Sequence, residues 1–123
     1  MSWLSIPSVL QFIVGLGLLN VWILRARSAT GFRGGSATSL KEEFEAYGLP
    51  DIAFYIVGGL KIVAGLVLIA GIWVAAPVVP AAALVALLMV GALWMHVKVG
   101  DPIQKSLPAG LMLLMSLGIV LLY

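Results

Sequence analysis

The sequence predicts an all-α polytopic membrane protein: a bundle of four transmembrane helices with a short amphipathic helix between helices 1 and 2. Three observations carry this. The 123 residues are 63% hydrophobic and only 10% charged, with a mean hydropathy of +1.17, whereas ordinary soluble domains carry about 25% charged residues. Seven basic and five acidic side chains cannot supply the polar shell of a soluble globule this size. The charges also fall in a few short stretches, leaving long uncharged runs between them.

The first run, residues 1–24, carries no charge and ends in Arg25 and Arg27. Pro7 stands near its start, where a missing N–H costs little. A helix over about 6–24 is long enough to span, at about 1.5 Å rise per residue against a hydrocarbon core of about 30 Å. The run has no basic n-region and no small-residue cleavage pattern, so no cleavable signal peptide is expected.

Residues 25–51 form the polar stretch. Gly31, Gly34 and Gly35 break it early, and Ser39-Leu40-Lys41-Glu42 has the form of a capping box. It opens a short helix over 39–47 that Gly48 and Pro50 close. Leu40, Phe44 and Tyr47 fall at i, i+4 and i+7, so the segment is amphipathic and lies at the membrane surface or under the bundle.

The second helix is expected over about 52–73. From residue 62 to residue 95 there is no formal charge for 34 residues, which as one helix would measure about 51 Å. The chain must therefore turn, and Pro77 and Pro80 mark the place. A third helix follows over about 77–97. Gly100-Asp101-Pro102 ends it, and a fourth covers about 106–123. All of this is one transmembrane domain, residues 1–123.

Aromatic residues are expected in two interfacial belts, with Trp3, Trp73 and Tyr123 at one face and Trp22, Tyr47, Tyr55 and Trp94 at the other. Arg25, Arg27, Arg33, Lys41, Lys98 and Lys105 all fall on the second side. The positive-inside rule makes that side cytoplasmic, with both termini outside and the charged 25–51 loop inside.

Composition also excludes function classes. With no cysteine there is no disulfide, thiolate metal site or iron–sulfur cluster, and one histidine cannot build a multi-histidine metal or haem site within a chain. Redox chemistry would draw on a bound cofactor or a partner. The net charge of +2 and pI of about 9.2 fit a membrane face and not nucleic acid. Arg33-Gly34-Gly35 follows no strand and fits no phosphate-binding spacing. Met89, Met95, Met112 and Met115 are expected to be packing residues, not a metal path.

Lys61 is the most informative residue. About nine residues into its helix, it lies about 14 Å from the start, where a lysine costs about 2.5–3.5 kcal/mol on insertion scales. Gly58, Lys61 and Gly65 share a helix face, and small residues mark close helix packing. Three placements stay open. Its ammonium snorkels to the interface; it lines a pocket and meets Glu42, Glu43, Glu45 or an external ligand; or it is buried without charge. Asn20, one turn inside the end of the first helix, follows Gly17 by three. Its ordinary role is a hydrogen bond across helices, worth about 0.6–2 kcal/mol. His96, at the end of the third helix, has Asp101 or a loop carbonyl in reach. Asn20, Lys61 and His96 come from three helices and fall in the same half of the membrane.

Two stretches carry a family resemblance. One is Tyr47-Gly48-Leu49-Pro50 followed by Val57-Gly58-Gly59-Leu60-Lys61. The other is Met89-Val90-Gly91-Ala92-Leu93-Trp94-Met95-His96 with Gly100-Asp101-Pro102. The sequence resembles the DoxX-like family of small four-helix membrane proteins, and its hydrophobic layout matches over nearly the whole chain. Many members carry a basic residue where Asn20 stands and a glutamate where Lys61 stands. His96 and Asp101 are the positions that carry over. The resemblance implies a membrane subunit near redox chemistry, including a quinone-linked thiosulfate oxidoreductase and oxidative-stress assemblies; more distant relatives look like membrane chaperones.

Three readings follow. In the first, the chain binds a quinone or other amphipathic small molecule as a redox-associated subunit of a bacterial cytoplasmic membrane, with Lys61, His96, Asn20 and Asp101 around the polar head. In the second it is an accessory or assembly factor whose contact with another membrane protein is Leu40, Glu42, Glu43, Phe44 and Tyr47. A small transporter ranks last, because residues 1–24 hold no acid to couple protons. As an isolated enzyme the chain lacks a nucleophile–base pair, a metal set and a nucleotide loop. Its many helix-face glycines suit a homo-oligomer.

Overall fold

The computed structural model describes residues 5–24, 34–35 and 37–123. Helix α1 spans Ile6–Leu19 and continues as a π-helical turn, Asn20–Leu24. Helix α2 is Leu40–Ala46, α3 is Asp51–Ala70 and α4 is Val78–Lys98; a 3-10 turn, Ile103–Ser106, leads into α5, Leu107–Leu122. Four segments are long and apolar enough to cross a membrane: Ile6–Leu24, Asp51–Ala70, Val78–Lys98 and Ile103–Leu122. The all-helical fold class read from the sequence is the one observed. Trp3, Arg25, Arg27, Gly31 and Arg33 lie outside the described residues, and so do the expectations placed on them.

The four long helices close a square in which α1 touches α3 and α5, and α4 touches the same two. Val14, Leu18, Leu68, Val85 and Ile119 fill its centre. Side chains such as Ile13, Leu66, Leu87 and Leu114 face outward, as a bilayer solvent allows. Glycines set the closest approach. A Cβ on Gly15 would stand 2.8 Å from the Gly65 carbonyl oxygen, so α1 and α3 meet backbone to backbone.

Local signals explain most ends. Ser5 caps α1 by accepting from the Ser8 N–H, with Pro7 in the first turn. Ser39 caps α2 by accepting from the Glu42 N–H. The reciprocal half of the capping box is shifted by one residue: Glu42 accepts from both the N–H and the hydroxyl of Thr38, at 3.1 and 2.7 Å. Two bonds on one oxygen there replace the single bond a capping box would form.

Helix α3 stops at Ala70, before the expected Trp73. Gly71 sits so close to Val78 and to the Gln11 amide that any side chain would collide, and this lets the chain turn early. Gln11, 1% exposed, donates its Nε2 hydrogen to the Leu68 carbonyl at 3.0 Å. That carbonyl belongs to the last turn of α3, where helices leave acceptors without intrahelical partners. Gln11→Leu should therefore cost about 1–3 kcal/mol in thermal unfolding in detergent. Equal melting of variant and parent would refute the capping role.

Candidate functional site

At the charged end of the bundle, α4 finishes in a Schellman motif. Gly100 adopts φ +73°, the Asp101 N–H returns to the His96 carbonyl at 3.0 Å, and the Gly100 N–H to Val97 at 3.1 Å. This motif brings the second residue past the cap back over the third residue from the helix end, usually in an apolar contact. Here those two residues are Asp101 and His96. His96 Nδ1 lies 2.7 Å from Asp101 Oδ2, with both side chains about 5% exposed.

The other oxygen, Oδ1, accepts from the Gly35 N–H at 2.9 Å and lies 3.7 Å from the Lys105 ammonium. Lys105 also donates to the Gly35 carbonyl at 2.6 Å. The φ of +57° at Gly35, open to glycine at little cost, turns its amide to serve both. Burial pushes the Asp101 carboxyl up, but the His96 bond, the Gly35 N–H and the charge of Lys105 outweigh it. They hold the group below the usual carboxylate range. An ionised carboxylate only accepts, so the shared hydrogen sits on Nδ1 and Nε2 of a neutral ring is an acceptor.

Helix α2 forms the roof. Leu40, Phe44 and Tyr47 all point inward and are buried, and Phe44 meets the rings of Trp22 and Phe54 edge-on at 5.9 and 5.6 Å. Glu43 accepts from the Gly34 N–H at 3.0 Å and from the Tyr47 hydroxyl at 3.1 Å. The Tyr47 ring stands edge-on to His96, with centroids 6.0 Å apart. Lys98 fastens the roof by donating to the Tyr47 carbonyl at 3.2 Å.

Lys61 enters from α3. Its ammonium lies 5.4 Å from the centre of the Trp22 ring, a cation–π contact. Trp22 is seated by Gly58, where a Cβ would come within 2.5 Å of the ring. Lys61 makes no salt bridge among the described residues.

Helix direction explains why these groups meet. Side chains lean toward a helix's N-terminus. Helix α3 begins at the charged end, so Lys61, about 15 Å deep by its position, leans back toward that end. Helices α1 and α4 finish there, so Asn20 and His96 lean away from that end along their helices, His96 buried and Asn20 exposed at the cavity's edge. All three line one cavity of about 480 Å³, within the usual range for small-molecule sites. Glu43, Tyr47 and Lys105 complete its polar lining; Leu18, Leu88, Met89 and Met112 make an apolar wall.

The four pocket candidates thus fall in one region, with Asp101 behind His96 and the other three on the cavity. The five candidate contact residues divide: Glu42 is exposed, Glu43 is half-buried, and Leu40, Phe44 and Tyr47 are turned into the protein. Trp22 and Tyr47 are not belt residues as expected, because the polar roof covers them. Trp73, Tyr55 and Trp94 are exposed. Sequence reasoning missed Gly35, whose amide binds Asp101, and Gln11; two glycines in a polar loop and one amide in the first span were the available signals.

The fold and cavity define a class: a small helical membrane protein with a roofed polar pocket at one end of its bundle. A family model described as the DoxX-like family matches residues 16–118. The chain belongs to that family and is an integral membrane protein. No curated protein and no solved structure matches it.

Proposed function

We propose that the protein is a redox-associated membrane subunit that binds a quinone or another amphipathic small molecule in the cavity beneath α2. The observation that supports this best is Lys61, a cation without a salt bridge among the described residues, on a cavity that joins polar groups to an apolar wall. A polar head would lie among Lys61, His96 and Asn20, and an apolar body along Leu88, Met89 and Met112. The residues fit a quinone ring in size and polarity; when bound, such a group would supply the electron chemistry that the side chains lack. The roofed end faces the cytoplasm of a bacterial membrane in this reading, with both termini outside.

The accessory-factor reading has narrower support, since on α2 only Lys41, Glu42, Glu45 and Ala46 are exposed to a protein partner. The transporter reading lacks an acid on α1.

Native mass spectrometry of gently extracted protein, with released small molecules identified alongside, tests the proposal. A stoichiometric amphipathic molecule is expected, reduced at least about tenfold in Lys61→Met, which removes an interaction of about 1.4 kcal/mol or more. Undiminished retention in a folded Lys61→Met would rule this site out, and a copurifying protein with no small molecule would favour the accessory role.

A further inference from the structure

We propose that His96 is a proton acceptor for the bound molecule, so that the cavity takes a head group with an acidic hydroxyl, a phenol or enol, and holds it as the oxyanion. The inference rests on the cavity-binding reading and specifies its ligand. Nδ1 is committed to Asp101 at 2.7 Å, which fixes the tautomer, and Nε2 has no hydrogen-bond partner among the described residues. The ring is about nineteen-twentieths buried yet lines the cavity. Its remaining polar atom is therefore a lone pair offered to whatever occupies that space.

The other ionisable groups around the ring are accounted for. Glu43, on α2, already accepts from Gly34 and Tyr47. Tyr47 donates its hydroxyl to Glu43. Lys105, before α5, is held by Asp101 and the Gly35 carbonyl. Lys61, on α3, feels the charge of Glu43 across the cavity but forms no salt bridge among the described residues, so its ammonium remains open to an anionic ligand. In the transfer, the ligand O–H bond breaks, its proton joins Nε2, and the electron pair stays on the ligand oxygen. The imidazolium is then balanced by Asp101 and the oxyanion by Lys61, so each new charge arises beside an opposite one. Asp101 acts here as a positioning residue.

The test uses the full chain in detergent micelles with 2-decyl-4-nitrophenol, whose phenolate is yellow, and 2-decyl-4-nitroanisole, its methyl ether, which is one methyl larger and has no proton to give. The phenol bound to protein should turn yellow at least about one pH unit below its transition in empty micelles, a tenfold shift in its ionisation. His96→Gln should remove most of that shift, and a cooperative thermal melt of the variant in the same detergent shows that it is folded. Asp101→Asn, free to favour the other tautomer, should shrink the shift more than it weakens anisole binding. A shift that survives His96→Gln and vanishes in Lys61→Met would overturn the proposal, because the lysine alone would then hold the anion. Anisole binding with no shift of the phenol overturns it while leaving the cavity reading intact; failure of both probes to bind overturns both.

Discussion

Asp101→Ala is expected to destabilise the folded protein by about 2–5 kcal/mol, since each buried donor left without its acceptor costs about 1–3 kcal/mol. Three groups lose their partner together: the His96 Nδ1–H, the Gly35 N–H and, in part, the Lys105 ammonium. Lys105 is the least affected because it is partly exposed and keeps the Gly35 carbonyl. The pH dependence has a definite sign. The folded carboxyl is held below its ordinary value, near 4 in an unfolded chain. Its contribution is therefore complete above about pH 4 and is lost as pH falls through the lower folded value. Thermal melts of the parent should drop on that acid limb, and the limb should be missing in Asp101→Ala. Parallel curves for the two proteins would show that the carboxylate does not stabilise the fold.

Gly15→Leu should cost about 2–3 kcal/mol, at the upper end for overpacking a core. The clash is with the Gly65 carbonyl, part of the α3 backbone, so no rotamer change relieves it. The helices must separate, and Trp22 and Asn20, carried on the same helix beyond Gly15, would move away from Lys61. Loss of stability and loss of ligand retention should therefore appear together. Gly59→Leu is the comparison, since a Cβ there meets nothing within 4 Å. Its melting temperature should stay close to that of the parent. Equal effects at the two glycines would mean that helix propensity, not close packing, explains them.

The spans were legible because a bilayer imposes a coarse rule, and uncharged runs bounded by charged or proline-rich breaks obey it. Helix α2 was legible from Ser39 and from the apolar spacing of Leu40, Phe44 and Tyr47. Convergence of Asn20, Lys61 and His96 was open to sequence only as a shared half of the membrane. What brings them together is side-chain lean, opposite on α3 to that on α1 and α4. The burial of Trp22 was hidden because an aromatic residue near a helix end looks the same in a lipid belt and under a roof. Gln11 was hidden because the carbonyl it satisfies lies 57 residues away. The π-helical turn at Asn20–Leu24 has no proline or glycine to announce it. His96 and Asp101 are the opposite case: five positions apart around Gly100, they are joined by a local motif.

The bonds that tie Gly35 to Asp101 and Lys105 have a consequence for the order of synthesis. A ribosome releases the chain from the N-terminus, so α1, the roof and α3 are made before residues 101–105 exist. Until those residues emerge, the Gly35 amide has neither of these partners and His96 has no carboxylate to orient it. Met112, one wall of the pocket, arrives later still. The cavity is therefore a late product of biogenesis, completed only when the last helix joins the others.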